Sequence, residues 1–191
     1  MQPLLYLASR SPRRQELLRQ VGLRFEVVAA DIVEQRAPGQ SPADYARAMA
    51  EAKAHAARVP PGAPVLGADT DVVVDGEILG KPRDRADALA MLQRLADRTH
   101  EVYSGVAVVQ GTRVATALSV TRVTFGPIST QAAQSYWDTG EPADKAGAYA
   151  IQGRAARFVR RIEGSYSGVM GLPLYETVEL LAPFGICPEP R

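Results

Sequence analysis

Leu4-Leu5-Tyr6-Leu7-Ala8-Ser9-Arg10-Ser11-Pro12-Arg13-Arg14 is the stretch from which the rest of the chain can be read: four apolar residues run straight into two serines and three arginines. The apolar part reads as a buried strand. Ser11-Pro12 reads as a helix start, with the serine as N-cap and the proline at the first helical position. A strand that empties into hydroxyls and guanidiniums at a helix N-terminus suits a phosphate. Free N–H groups and the helix dipole favour an anion there, and arginine can hold phosphate oxygens through two bonds at once. A solvated turn with scattered arginines has the same local pattern, so the rest of the chain must decide between the two.

Working outward, the first helix is expected from about Pro12 to Val21, with Gly22 as its stop. Arg24 to Ala30 reads as a second strand and Asp31 to Gln40 as a polar loop that carries Glu34. Ser41-Pro42 repeats the cap-then-proline pattern and opens a helix to about Arg58, on which Lys53 reads as a solvent-facing charge. In Pro64 to Val74, two apolar runs flank a small-residue break, Asp69-Thr70-Asp71. Asp75-Gly76 is a tight-turn signal, so a hairpin joins Val72–Val74 to Glu77–Leu79. This reading puts Asp69 at a strand end and brings Lys81 back beside it. An acid next to a lysine suits metal binding or water activation, and equally a structural ion pair.

Asp84 to Ala96 reads as an amphipathic helix, and Val102–Val109 and Arg113–Phe125 as two long strands around Gln110-Gly111. Ser129 caps a helix through Trp137. Thr139 to Gly153 is rich in charge and glycine yet sets Tyr149 and Ile151 at strand-like alternation, the mixed character of a functional loop. Phe158 to Ile162 reads as a strand, 163–168 as a polar turn, Leu172-Pro173-Leu174 as the start of the last helix, and Pro183 to Arg191 as a loose tail. Helices interspersed with strands predict an α/β domain with a mixed sheet, spanning residues 1–191 as one unit with 184–191 as tail.

The balance of 22 Lys+Arg against 21 Asp+Glu leaves no global basic field, which argues against nucleic acid as partner and makes any anion site local. No apolar run approaches a membrane span, and the N-terminus lacks the pattern of a secretory signal. The lone Cys187 cannot form an internal disulfide, and His55 and His100 lack metal-ligand spacing. A cytoplasmic setting is the expectation. Neither a Rossmann glycine fingerprint nor a P-loop is present.

Three stretches are specific together. Leu7 to Arg14, Gly67-Ala68-Asp69-Thr70 with Gly80-Lys81-Pro82, and Asp144-Lys145-Ala146-Gly147-Ala148-Tyr149-Ala150-Ile151-Gln152-Gly153 resemble the Maf family of nucleotide pyrophosphatases, and Gly164-Ser165-Tyr166 with Gly171-Leu172-Pro173-Leu174 matches in order and spacing. The resemblance implies an elongated α/β fold like that of inosine-triphosphate pyrophosphatases (the Maf/Ham1 type), with two lobes around a cleft. It also implies cleavage of nucleoside triphosphates to monophosphate and pyrophosphate with a divalent metal, Mg2+ or Mn2+. On the matching positions, Asp69 is the proton acceptor and candidate metal ligand. Ser9, Arg13, Arg14, Lys53 and Lys81 line the phosphate site, and Glu34 lies in the cleft. Members similar to dTTP/UTP pyrophosphatases carry arginine, threonine and glutamine at the positions of Arg13, Thr70 and Gln152. The branch acting on 7-methyl-GTP has tryptophan, glutamine and glutamate instead. Arg10 and Gly80 depart from what relatives often carry. The resemblance further implies removal of excess or non-standard pyrimidine nucleotides, often by a homodimer, with a nucleotide-binding regulator of cell division as the alternative function.

Overall fold

One long strand organises the molecule. In the computed structural model, which describes residues 4–188, Val65–Val74 (β3) runs unbroken through Asp69-Thr70-Asp71. It pairs along its length, antiparallel, with Thr99–Gln110 (β5), which in turn pairs with Arg113–Phe125 (β6). β5 and β6 are 12 and 13 residues long, so the sheet extends roughly 40 Å along the strands. Leu5–Leu7 (β1) lies parallel to β3 and to Phe25–Val27 (β2), Glu77–Leu79 (β4) folds back on β3, and Val159–Glu163 (β7) closes the far edge on β6. The seven-stranded order is β2-β1-β3-β5-β6-β7 with β4 beside β3. The mixed α/β sheet is as expected.

The Asp69 strand end is a correction. The two apolar runs belong to one strand that feeds two large cores, with Val65 in a smaller cluster beside Ala8, Ala54 and Val109. Leu66 and Ala68 join Leu5, Leu7, Leu17, Leu18, Val106 and Leu172 at one end. Val72 and Val74 join Leu92, Leu95, Phe125, Tyr136 and Tyr149 at the other. The polar triplet lies where the chain passes from one core to the next. At that point the outer edge of β3 is open, because β1 pairs only with Val65 and Leu66 and β4 only with Val72 to Val74. The two cores lie to either side of this gap in the sheet.

Helices cover both faces. Pro42–Ala56 (α2) begins at Ser41, whose hydroxyl accepts the Asp44 N–H at 3.1 Å. It presses Ala46, Ala50 and Ala54 against the sheet. A side chain at Gly67 would come 2.0 Å from the Ala50 carbonyl, and one at Gly105 2.3 Å from that of Ala46, so only glycine admits the helix this closely. Successive strand residues point to opposite faces. Gly67, Asp69 and Asp71 therefore face α2, while Thr70 faces Tyr166–Met170 (α5). Pro12–Gln20 (α1) and Leu174–Leu181 (α6) complete the first core; Arg85–Leu95 (α3) and Thr130–Trp137 (α4) complete the second, started by capping side chains of Asp84 and Ser129.

The 139–153 stretch is a loop of short turns, as read: Tyr149 and Ile151 are buried in it, with the chain turning at Gly147 (φ +66) and Ala148 (φ +57). One further expectation is corrected. The tail packs further than its proline content suggests: Phe184 and Ile186 lie in the first core beside Leu181. Residues 189–191 of the expected tail lie outside the described residues. Among the described residues no helix is long and apolar enough to cross a membrane.

Candidate active site

The gap in the sheet is the floor of a cleft of about 690 Å³, a size that suits a nucleotide. Every residue singled out from the sequence lines it: Ser9, Arg13 and Arg14 from the β1–α1 turn, Glu34 from the long loop, Lys53 from α2, Asp69 and Thr70 from β3, Lys81 after β4, and Gln152 from the turn that follows Tyr149. The C-terminal end of a parallel strand emptying into a helix N-terminus is where open α/β sheets place ligands. Ser11 occupies the N-cap of α1 but makes no side-chain capping bond, and Ser9 Oγ accepts the Ser11 N–H at 3.2 Å. The first-turn N–H groups are thus left for an anion.

The centre is acidic and tightly paired. Lys53, read from sequence as a surface charge, is instead drawn down by the close seat of α2. Its Nζ lies 2.5 Å from Asp69 Oδ1 and 2.7 Å from Glu34 Oε1. Burial by itself pushes the Glu34 carboxyl up, but the hydrogen bond and charge of Lys53, then the charges of Lys81 and Arg14, hold it below the usual carboxylate range. Asp71, two residues along β3 and so on the same face as Asp69, is 8% exposed. Burial first, then the charge and hydrogen bond of Asp69, push its pKa up to about 8. Its Oδ2 is buried without a partner.

Arg14 is built into the framework. Its Nε donates to the Gly171 carbonyl at 2.8 Å, one Nη to Ser9 Oγ at 3.2 Å, and the other reaches Thr70 Oγ1 at 3.5 Å. Desolvation pulls its pKa down, with Asp69 opposing. Thr70 also meets Ser104, whose hydroxyl donates to the Gly168 carbonyl at 2.7 Å and lies 3.3 Å from Thr70 Oγ1. The Arg14 fork is occupied by the protein, and its charge is what the cleft receives. Arg13 and Gln152 both line the cleft. Burial by itself pushes the Asp144 carboxyl up, but the hydrogen bond and charge of Lys145, then the charge of Arg13, hold it below the usual carboxylate range.

Of the charged cleft residues beyond those candidates, Asp71 and Lys145 bear most on the chemistry. Asp71 was visible in the Asp-Thr-Asp alternation, had the strand been read as continuous. Lys145 pairs with Asp144 and has a side chain only 13% exposed, yet no local signal distinguishes it from a surface lysine.

A family model described as Maf-like protein matches residues 4–184. The chain belongs to the Maf family. It is 54% identical over 193 residues to a dTTP/UTP pyrophosphatase of Burkholderia pseudomallei (strain 1710b), covering 94% of this chain and 92% of the relative. Identity to the protein of the same name from Cupriavidus pinatubonensis is 52%, covering 95% of this chain and 96% of the relative. The Symbiobacterium thermophilum protein of that name is 54% identical, with 95% and 94% covered. Among solved structures, a HAM1 protein from Coxiella burnetii aligns with 65% of this Maf chain and 73% of its own, at 18% identity and a TM-score of 0.43.

Proposed function

We propose that this chain hydrolyses dTTP and UTP between the α and β phosphates, giving the nucleoside monophosphate and pyrophosphate and so clearing excess or modified pyrimidine triphosphates. The observation that carries the reading is the floor of the cleft: Asp69, 7% exposed, held at 2.5 Å by Lys53 and ringed by further cations. The names of relatives at 52–54% identity agree with it.

The family's chemistry implies a divalent cation, Mg2+ or Mn2+. The donor set fits one. Asp71 Oδ2 is buried without a partner beside Asp69, and carboxylate oxygens suit these hard ions. Among the described residues no three of His, Cys, Asp and Glu converge to hold a metal alone. Asp69 and Asp71 would hold it together with substrate phosphate oxygens, the usual manner for Mg2+. When bound, it supplies neutralising charge to those oxygens.

The remaining chemistry falls to the side chains. Asp69 takes the proton of the attacking water, and Lys53 orients its carboxylate. As the α–β phosphoanhydride breaks, charge grows on the departing pyrophosphate. Arg13, Lys81, Lys145 and the fixed charge of Arg14 are placed to receive it, with Ser9 at the helix N-terminus. Gln152 carries a donor and an acceptor in one planar group, matching the adjacent N–H and C=O of uracil or thymine. A panel of nucleotides assayed for pyrophosphate release tests the reading. UTP and dTTP should be the preferred substrates, with pyrophosphate and not phosphate released; equal or better turnover of 7-methyl-GTP would overturn the base assignment.

A further inference from the structure

Gln152 stands in a turn closed by the Gly153 N–H on the Ala150 carbonyl at 3.0 Å. Both ends of that turn are gripped by one pair of side chains outside the cleft lining. Tyr136, at the end of α4 and 1% exposed, accepts the Ala150 N–H on its phenol oxygen at 3.1 Å. The same hydroxyl donates to Glu141 Oε1 at 2.6 Å, and Glu141 Oε2 accepts the Arg154 N–H at 3.1 Å. Thr139 locks the pair in register: its hydroxyl donates to the Tyr136 carbonyl at 2.7 Å and accepts the Glu141 N–H at 3.2 Å. The Glu141 carboxylate also fills the space a side chain at residue 153 would need, since a Cβ on Gly153 would lie 2.3 Å from Oε2. Every polar atom of the clamp is satisfied, which is the condition under which a buried network rigidifies what it holds.

We propose that Tyr136 and Glu141 are positioning residues for base recognition: by fixing the Gln152 turn at both ends they set the pyrimidine selectivity of the cleft without touching the nucleotide. This rests on Gln152 reading the base. A site that hydrogen-bonds its substrate discriminates steeply only while its donors and acceptors are held in place. Ser9, Arg13, Arg14, Lys53 and Asp69 come from the β1–α1 turn, α2 and β3, and Lys81 from the segment after β4, none of which Tyr136 or Glu141 hydrogen-bonds; of the phosphate-side cations named above, Lys145 alone shares the segment that Glu141 opens, so loosening the clamp acts chiefly on the base.

The experiment measures kcat and KM for UTP and CTP in the full-length protein, with Tyr136→Phe, Glu141→Ala, Glu141→Gln and Gln152→Ala. Tyr136→Phe and Glu141→Ala each free a backbone N–H, and should raise KM for UTP about tenfold and shrink the UTP-over-CTP ratio similarly, with kcat changed less than about threefold. Glu141→Gln retains one acceptor oxygen and should recover part of the ratio. Tyr136→Phe added to Gln152→Ala should not lower the ratio further. An unchanged ratio in Glu141→Ala, or a uniform loss of kcat for both nucleotides, overturns the clamp. If Gln152→Ala itself leaves the ratio intact, the base-reading role of Gln152 falls, and the proposal with it. If Gln152→Ala collapses the ratio while the clamp variants keep it, only the clamp falls. Should Tyr136→Phe fail to fold, the Glu141 variants carry the same comparison.

Discussion

Gly67→Ala is the perturbation that most directly couples the fold to the chemistry. The new methyl would sit 2.0 Å from the Ala50 carbonyl oxygen and 2.8 Å from the Ala54 nitrogen. Both are backbone atoms within α2, so no side chain can swing aside. Restoring even the 3.0 Å that real contacts rarely breach moves the helix or the strand by about 1 Å. Lys53 lies between Ala50 and Ala54 in that helix, and its 2.5 Å contact with Asp69 would stretch by a comparable amount. Overpacking of this kind costs about 1–3 kcal/mol of stability. A misplacement of about 1 Å in the catalytic group costs about 100-fold in rate. The assay pairs urea unfolding with kcat for UTP at a temperature where the variant is fully folded. The expected result is a folded protein with a lowered denaturation midpoint and a kcat down by about two orders of magnitude. A variant with native midpoint and native kcat would refute the claim that the close seat of α2 sets the Lys53–Asp69 contact.

Other perturbations test separate parts of the account. His100 is 1% exposed, its Nε2 2.8 Å from the Tyr149 hydroxyl and its Nδ1 unpartnered, and burial pushes its pKa down to about 4. Because the folded pKa lies below the unfolded one, its contribution is complete above pH 6.5 and is lost as pH falls toward 4, amounting to about 2 kcal/mol by pH 5. Urea unfolding at pH 8 and pH 5 should therefore show a difference that His100→Gln reduces by that amount; an identical difference in the variant would sink this assignment. Lys145→Ala should raise KM for UTP about tenfold with little change in melting temperature, measured by steady-state pyrophosphate release. Chelation of divalent ions should abolish turnover, and Mg2+ or Mn2+ should restore it without refolding; full activity in chelator would remove the metal from the account.

Much of this could be seen in the residues alone, for physical reasons. α2 and α4 announce themselves because Ser41 and Ser129 satisfy first-turn N–H groups, a local interaction that needs no tertiary partner, and α3 because Leu89, Leu92 and Leu95 recur at helical spacing. β3 was divided in two because a strand that crosses a cleft must carry polar residues at the crossing, and a polar triplet between apolar runs looks like a break. Tyr149 and Ile151 alternate like strand residues, yet their burial comes from two successive left-handed turns that the pattern does not report. In the site, Ser9 to Arg14 was legible because one local turn presents it. Lys53 on a helix face and Lys145 in a turn become cleft residues only through packing between distant segments, so the pattern of the chain around them carries no trace of it.

The proposed hydrolysis depends most directly on Asp69. Asp69→Asn keeps the side chain's shape and removes its capacity to take a proton, together with the charge it offers Lys53 and a cation. Turnover of UTP and dTTP should fall about 1,000-fold, while calorimetric binding of UTP in Mg2+ stays within about tenfold of the parent and the melting temperature remains near native. A folded Asp69→Asn protein that still releases pyrophosphate from UTP at near-parental rate would contradict the account.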